Sequence, residues 1–307
     1  MKCLIAVDGS PGSLAATQLA GMLLDEHADS VAFYYLPAPV KVPADAARHA
    51  GVVERTRKSL CDAIFAESAA ALPAGLRARA TNIVGTQARA AHGILVAAAE
   101  CQAGFIAVGA RGLGPLRGLL VGSVSQRLAA ESNLPLLIAR GHIPRAGEGL
   151  RVLLACASST VCGSAARFLH QLHWHPESRG TALTVVESSF GGELPDWLVQ
   201  QARSDETEQL ARAWVEDHRR EVAAQRESLA ALCQELPQPF RQLEPQVVEG
   251  HPAESILKTA AATGSDLLVL GTHHAAPLVR LLLGSTAVKV LAHAPCSVLL
   301  LPHHETP

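Results

Sequence analysis

The chain contains an internal repeat, and this repeat constrains its fold more than any other feature of the sequence. Gly109 opens the segment GARGLGPLRGLLVGSVSQRLA, and Gly271 opens the similar segment GTHHAAPLVRLLLGSTAVKVLA, at an offset of 162 residues (271 minus 109). The apolar runs LPLLIA and CSVLLL, which follow these segments, align at the same offset without a gap. A repeat of this length predicts two copies of one folding unit in tandem.

The two copies begin with similar runs, KCLIAVDGS and RVLLACASS, at an offset of 149. The second copy therefore has about 13 extra residues (162 minus 149) before its glycine segment, and we place them near GGELPDWLVQQARSDETEQ. Between the copies, GHIPRAGEG contains the proline and glycines typical of a connection between domains. The sequence predicts one domain over 1–140, a linker over 141–150 and a second domain over 151–302.

Short apolar runs alternate with helical stretches in both copies. In the first copy the apolar runs are CLIAV, SVAFYYL, RARATNIV, GFIAVG and PLLIA. Runs that are largely apolar on both faces predict a parallel sheet covered by helices on both sides. The predicted fold class is therefore α/β, with two tandem doubly wound domains of five parallel strands each. Such sheets bind ligands at the carboxyl ends of their strands, where Asp8 and Gly109 are located.

Composition excludes several classes of partner. Acidic residues number 28 and basic residues 26, with no dense Lys/Arg block, so neither a nucleic acid nor an anionic membrane is expected as a partner. The seven cysteines form no C-x-x-C pair and lie mostly in apolar runs, which predicts buried free thiols in a reducing cytosol. The apolar run before Asp8 is too short for a signal peptide, and no run has transmembrane length. We expect a soluble, cytoplasmic protein.

The spacing G-x2-G-x9-G-S in the first copy, from Gly109 through Gly112 to Gly122 and Ser123, indicates an anion site. The first two glycines allow a sharp turn off a strand, and the Gly-Ser pair opens a helix whose unpaired N–H groups and partial positive charge favour a phosphate chain. The segment is not a Walker loop, since no G-K-[ST] follows, and it is not G-x-G-x-x-G after the first strand. Taken alone, a G-x2-G pair is also explained as a structural turn.

With this repeat and glycine spacing, the chain resembles the universal stress protein family in its tandem two-domain form. The resemblance rests on AVDGSPGS, VGARGLGPLRGLLVGSVS, GHPAESIL and LGTHHAAPLVRLLLGSTAVKVLAHAPCSVLLL. It implies a Rossmann-like fold of the adenine nucleotide alpha hydrolase type, with ATP, with or without Mg²⁺, as the bound nucleotide. It further implies the residues of the site: Asp8 at the adenine, the backbone near Leu36 beside the base, and Gly109, Gly112, Gly122, Ser123, Val124 and Ser125 along the ribose and phosphates.

Both copies depart from the pattern of the family. The first has ARAAHGIL where the second has GHPAESIL, a difference that we expect to affect helix packing more than the phosphate loop. In the second copy Ala157 takes the position of Asp8, and His274 takes that of Gly112. Loss of a buried carboxylate contact costs about 1–3 kcal/mol, so we expect the second site to be weak or empty.

Other interpretations of single residues remain open. Asp8 also fits a cap for the helix that begins near Ser10 or Pro11. The pairs at 273–274 and 303–304 are histidines that follow neighbouring strands, but no carboxylate accompanies them, so we predict no metal site. The charged stretch EDHRREVAAQRESLAALCQEL fits either an amphipathic surface helix or a helix that docks a partner.

These features favour a stress-response regulator that binds ATP, hydrolyses it slowly at most, and acts through a protein partner that the sequence does not identify. A slow ATPase or phosphotransfer enzyme is the second hypothesis, although the glycine loop supplies only Arg111 and Arg117 and no local base, and no catalytic residue is assigned. A nucleotide-free interaction scaffold is the third. The family resemblance also implies that LPLLIA and CSVLLL pair edge to edge within one chain, and a homodimer stays open as the assembly.

Overall fold

The computed structural model describes residues 1–38, 50–112, 121–145, 147–156, 165–187, 205–273 and 284–303. Strands and helices alternate along both halves of the chain, as the sequence predicts. The first half contains β1 (Lys2–Ala6), α1 (Pro11–Met22), β2 (Ser30–Tyr35), α2 (Ala50–Ala70), α3 (Ala74–Ala78), β3 (Thr81–Val84), α4 (Ala90–Glu100), β4 (Phe105–Gly109), α5 (Ser123–Glu131) and β5 (Leu136–Ala139).

The second half repeats this order, and its residues 165–169 are also helical. Its other elements are β6 (Arg151–Cys156), β7 (Arg179–Val186), α6 (Asp205–Glu235), a 3-10 turn (Gln238–Arg241), β8 (Gln246–Glu249), α7 (Pro252–Ala262), β9 (Leu267–His273), α8 (Ser285–His293) and β10 (Ser297–His303). α6 has 31 residues and its counterpart α2 has 21, so part of the extra length of the second copy forms helix. The predicted insertion is described only from residue 205 onward. No described helix combines the length and the apolar composition needed to cross a bilayer.

All ten strands form one sheet, in the order β3-β2-β1-β4-β5-β10-β9-β6-β7-β8. Within each half the five strands are parallel, which confirms the α/β class and the doubly wound arrangement. In the first half the chain runs outward from β1 to β3 on one side and continues with β4 and β5 on the other. The strand order therefore reverses between β1 and β4, and ligands of such sheets bind at this point.

The two halves are joined by the antiparallel pair β5 and β10, as the resemblance implied. The paired residues are Leu136 with Leu300, Leu137 with Leu299, and Ile138 with Val298. Arg140 follows β5 and donates hydrogen bonds across the joint, to Leu291 O at 2.7 Å and to Ala294 O at 3.3 Å. Both carbonyls lie at the end of α8, where a cation also interacts favourably with the helix dipole. Arg140 thus stabilises the contact between the two halves.

The sheet separates two apolar layers, and both layers continue across the joint. One layer contains α1, α2, the helical residues 165–169 and α6. In this layer Phe105 of the first half contacts Phe168 of the second, with ring centroids 5.9 Å apart. The other layer contains α4, α5, α7 and α8. The glycine segment of the first half therefore stands on a sheet that both halves support.

The run RARATNIV, predicted as one strand, forms a strand only from Thr81 onward. Arg77 belongs to α3, and its guanidinium donates to Ala70 O at 3.1 Å and to Leu72 O at 3.0 Å. These carbonyls lie at and just after the end of α2, so Arg77 caps that helix. β3 is an edge strand paired with β2 alone, and four residues suffice for this contact.

The cysteines in the described part of the chain form no disulfide, and all but one are buried. Cys101 is partly exposed, while Cys162 lies outside the described residues. Burial raises the pKa of Cys296 to about 11, so this thiol stays protonated at neutral pH. The buried cysteines behave as small apolar side chains, as predicted.

Candidate functional site

A cavity of about 460 Å³ opens at the carboxyl ends of β1, β2 and β4. Its volume is within the range of small-molecule sites, roughly 300–1,000 Å³. All eight residues that the resemblance assigns to a nucleotide line it: Asp8, Leu36, Gly109, Gly112, Gly122, Ser123, Val124 and Ser125. The fold thus brings together the ends of three strands and the start of α5 around one space.

Asp8 follows β1 and forms part of the wall of this cavity. Its Oδ1 accepts a hydrogen bond from the N–H of Ser10 at 3.0 Å, and its own N–H donates to Ser13 Oγ at 3.4 Å. The structure gives the role of helix cap to Ser10, whose Oγ accepts a hydrogen bond from the N–H of Ser13 at 3.2 Å. The capping interpretation of Asp8 is therefore wrong, and its carboxylate instead fixes the turn before α1.

Gly109 and Gly112 are required by close approach and not by backbone conformation, because neither has a positive φ. A Cβ on Gly109 would lie 2.8 Å from Gly12 O and 2.9 Å from the N of Ser13, so the end of β4 packs directly against the start of α1. A Cβ on Gly112 would overlap Asp8 Oδ2. The glycine at 112 therefore allows the loop backbone to lie against the Asp8 carboxylate.

Gly122 precedes α5 as its N-terminal cap residue, and no side chain caps the helix. The N–H of Gly122 donates to Ala110 O at 2.7 Å, and Ser125 Oγ donates to Gly109 O at 2.8 Å. These two bonds hold the helix start against the end of β4, so the hydroxyl of Ser125 is used within the protein. Ser123 is exposed. The first N–H groups of α5 have no intrahelical acceptor, which gives the cavity an edge of partial positive charge.

The cavity has nine further lining residues, most of them apolar, and of these sequence reasoning had named only Arg111, as a cation of the glycine loop. They are Ala6, Val7, Ser13, Tyr34, Ala90, Ile94, Val108, Arg111 and Val121. Ala90 and Ile94 are one helical turn apart on α4, a spacing that places them on one face. Tyr34 belongs to the apolar run of β2 and lies two positions before Leu36, on the same face of the strand. Neither pattern by itself indicates a ligand site.

Tyr34 links the cavity to ARAAHGIL, the segment of the first copy that differs from the family pattern. Its hydroxyl donates to Gln87 Oε1 at 3.1 Å, and a Cβ on Gly93 would overlap that hydroxyl. The sequence analysis expected this departure to affect helix packing. It also affects the cavity, because Gly93 leaves the room that the ring of Tyr34 occupies. The contact joins β2 to α4 through the fold, so no local pattern reveals it.

The equivalent site in the second half is described only in part. Ala157 and His274, on which the expectation of a weak or empty second site rests, lie outside the described residues. Gly284 caps α8 as Gly122 caps α5, and a Cβ on Gly284 would meet nothing within 4 Å. The second half therefore retains a helix start that could accept an anion.

The described histidine of each predicted pair lies at the end of one of two neighbouring strands. His273 and His303 are register partners in β9 and β10, whereas His274 and His304 lie outside the described residues. Across the described ranges, no group of three or more His, Cys, Asp or Glu side chains is arranged to hold a metal ion.

Comparison with known proteins places the chain in a family. The model of the universal stress protein family matches residues 1–140 and again residues 151–302. A universal stress protein of Thermus aquaticus is 46% identical over 54 residues, which cover 18% of this chain and 39% of that relative.

Solved structures agree over the whole chain. A universal stress protein of Archaeoglobus fulgidus DSM 4304 has a TM-score of 0.61 at 17% identity, over 99% of this chain and 98% of that one. A Pseudomonas aeruginosa UCBPP-PA14 protein named as a universal stress protein has a TM-score of 0.56 at 14% identity, over 98% of this chain and 92% of that one. The two TM-scores show that the fold is shared, and at these low identities they show the fold alone. Because the family model matches both halves, the chain belongs to the universal stress protein family and contains its domain twice in tandem.

Proposed function

We propose that the protein is a cytoplasmic regulator of the stress response that binds one ATP, with or without Mg²⁺, in the half formed by residues 1–140. The observation that carries this proposal is the start of α5, which has no side-chain cap and borders the same cavity as the Asp8 carboxylate. Free N–H groups at a helix start attract phosphate. A carboxylate accepts hydrogen bonds from an amino group of a base or from ribose hydroxyls.

The lining of the cavity supports a base end and a phosphate end. Leu36, Ala90 and Ile94 contribute apolar surface beside β2 and along α4. Asp8 repels phosphate through its negative charge, which favours the base or ribose at that wall. In this arrangement the adenine lies near Asp8 and Leu36, and the phosphates extend to the first turn of α5. Gly109 and Gly112 line the cavity between the two ends.

The same lining offers little for rapid ATP hydrolysis. Among the described lining residues, Asp8 is the one carboxylate and Arg111 the one cation, and none is a histidine. Fast phosphoryl transfer needs a group that positions the nucleophile, together with several cationic contacts at the γ-phosphate. We therefore assign ATP the role of a bound effector, hydrolysed slowly at most. Its presence would change the surface that the protein offers to a protein partner or to a second copy of itself.

The nucleotide content of gently purified protein tests this proposal. The bound material is released by denaturation and identified by absorbance and mass spectrometry, and we expect close to one adenine nucleotide per chain. The emptied protein is then titrated calorimetrically with ATP, ADP and AMP to rank the adenylates. A steady-state phosphate-release assay measures turnover on the same sample.

Each of the other hypotheses predicts a different result. Protein that carries no adenylate and shows no heat on titration with ATP would support the nucleotide-free scaffold. Sustained phosphate release at rates typical of ATPases would support the enzyme. Tight binding with negligible release is the result expected from the described lining.

A further inference from the structure

One wall of the cavity depends on an arrangement of residues around Tyr34. Tyr34 lies on β2, is 2% exposed and donates its hydroxyl hydrogen to Gln87 Oε1 at 3.1 Å. The same oxygen accepts a hydrogen bond from the N–H of Thr86 at 3.1 Å. A Cβ on either Gly85 or Gly93 would overlap the tyrosine hydroxyl. The ring is thus fixed by a hydrogen bond at its tip and by two glycines that leave space for it.

The second half packs the same position with different residues. The register of the paired strands places Leu183 at the position of Tyr34. The equivalent first turns of α4 and α7 place Ser255 at the position of Gly93. Leu183 is fully buried, so a leucine suits this place in the sheet and the fold itself does not require the tyrosine. The first half has a longer side chain on the strand and a shorter one on the helix.

We infer that Tyr34 is a specificity-determining residue that closes the base end of the cavity and limits it to a purine without bulky substituents. This inference rests on the proposed function, because it concerns the base of the nucleotide. Tyr34 borders the cavity together with Leu36, Ala90 and Ile94, the residues that form its apolar end.

The ring cannot readily move aside for a larger base. Moving it would break the hydrogen bond to Gln87 and would drive the hydroxyl out of the space that Gly85 and Gly93 leave for it. Tightly packed side chains give way to added bulk only at the cost of strain. A leucine lacks the outer part of the ring and its hydroxyl, so it would leave a hollow into which a substituent on the base could extend.

Binding of enlarged ATP analogues tests the inference. We would compare wild type with Tyr34→Leu, using ATP and its N6-benzyl, 2-methylthio and 8-bromo derivatives. These substituents enlarge three different edges of the adenine, so one of them faces Tyr34 whichever edge points to β2. Wild type should reject at least one analogue by about tenfold or more relative to ATP. Tyr34→Leu should bind that analogue within about threefold of ATP.

Tyr35→Leu is the matched control. Tyr35 is the next residue of β2, packs in the opposite layer against Phe65 with ring centroids 6.3 Å apart, and does not line the cavity. This variant loses the same atoms and should keep the wild-type rejection. Tyr34→Phe keeps the ring but frees its tip, and should relax the rejection by a smaller factor than Tyr34→Leu.

The outcomes separate this inference from the proposed function. If wild type binds no ATP, the proposed function fails. If wild type binds ATP but the ratio of analogue to ATP affinity is the same in Tyr34→Leu for every analogue, Tyr34 does not limit the base end and the inference is wrong. Thermal denaturation checks the fold of each variant. Should Tyr34→Leu not fold, unchanged rejection in Tyr34→Phe overturns the inference equally.

Discussion

Replacing Gly112 by alanine should weaken ATP binding through Asp8. A Cβ on Gly112 would overlap Asp8 Oδ2, so the substitution must displace either the loop or the carboxylate. The carboxylate accepts a hydrogen bond from the N–H of Ser10 at 3.0 Å and can turn away only by losing it. Displacing the carboxylate removes it from the place where we propose that it contacts the nucleotide, and displacing the loop separates the carboxylate from the loop backbone that lies against it.

The expected magnitude follows from this one contact. A hydrogen bond to a charged group contributes about 1.5–3 kcal/mol. Gly112→Ala and Asp8→Ala should therefore each raise the Kd for ATP about 10- to 150-fold. Because both substitutions remove the same contact, the double variant should bind no more weakly than Asp8→Ala alone. Independent losses would instead multiply to about 100-fold or more.

Calorimetric titration of the four proteins with ATP measures this double-mutant cycle. Gly51→Ala is the control, because it makes the same chemical change on α2, where the nearest atom to the added Cβ is Arg55 Nη1 at 3.7 Å. It should leave the Kd unchanged. The reasoning is refuted if Gly112→Ala binds ATP as wild type does. The reasoning is also refuted if the rise in Kd of the double variant is the product of the two single rises, since Gly112 would then act on the ligand independently of Asp8.

Three further variants test the phosphate end of the cavity, the joint between the halves and the second copy. Gly122→Val should abolish ATP binding while the protein stays folded, because φ −72° and ψ 156° suit a β-branched residue and the added Cβ, 3.3 Å from Ala110 O, needs a shift of only a few tenths of an ångström. Calorimetry and thermal denaturation measure the two effects, and wild-type affinity would contradict the phosphate assignment. Arg140→Met should lower the free energy of unfolding by about 1.5–3 kcal/mol, because two carbonyls at the end of α8 lose a charged donor. Urea denaturation measures this change, and an unchanged midpoint would show that Arg140 does not stabilise the joint. Ala157→Asp combined with His274→Gly should raise the ATP stoichiometry, measured by calorimetric titration, from one to two per chain, since Gly284 still precedes α8. A folded double variant with one site would mean that other differences prevent the second copy from binding ATP.

The architecture could be predicted from the sequence because its signals are local and occur twice. The runs SVAFYYL, GFIAVG and PLLIA each contain one strand of the first half, CLIAV contains all of β1 except Lys2, and the repeat supplies the second set. The start of α5 could be predicted for the same reason, since a Gly-Ser pair before a helical stretch is a local signal. One strand is shorter than predicted. β3 lies at the edge of the sheet, and the residues RARA before it form the end of α3 and a turn.

The cap of α1 could not be assigned from local sequence. Asp8 and Ser10 lie two positions apart, and both residue types favour the position before a helix. In the folded chain Ser10 Oγ accepts the hydrogen bond from the N–H of Ser13, whereas the Asp8 carboxylate lies against Gly112, which is more than 100 residues later in the chain. The role of Tyr34 in the cavity could not be predicted either. Its neighbours come from separate parts of the chain, and the glycines that leave space for it have no side chain from which a contact could be inferred.

The joint between the halves explains why a second copy without a working site would still be needed. β5 pairs with β4 on one side and with β10 on the other, and its residues Leu136, Leu137 and Ile138 are at most 1% exposed. Without β10, the unpaired N–H and C=O groups of an apolar strand would form an open edge, which promotes aggregation. The end of β5 also supports the glycine segment, since Ala139 O accepts a hydrogen bond from the N–H of Ala110 at 2.8 Å. The second half therefore stabilises the first through the sheet, and this role places no demand on a carboxylate at position 157.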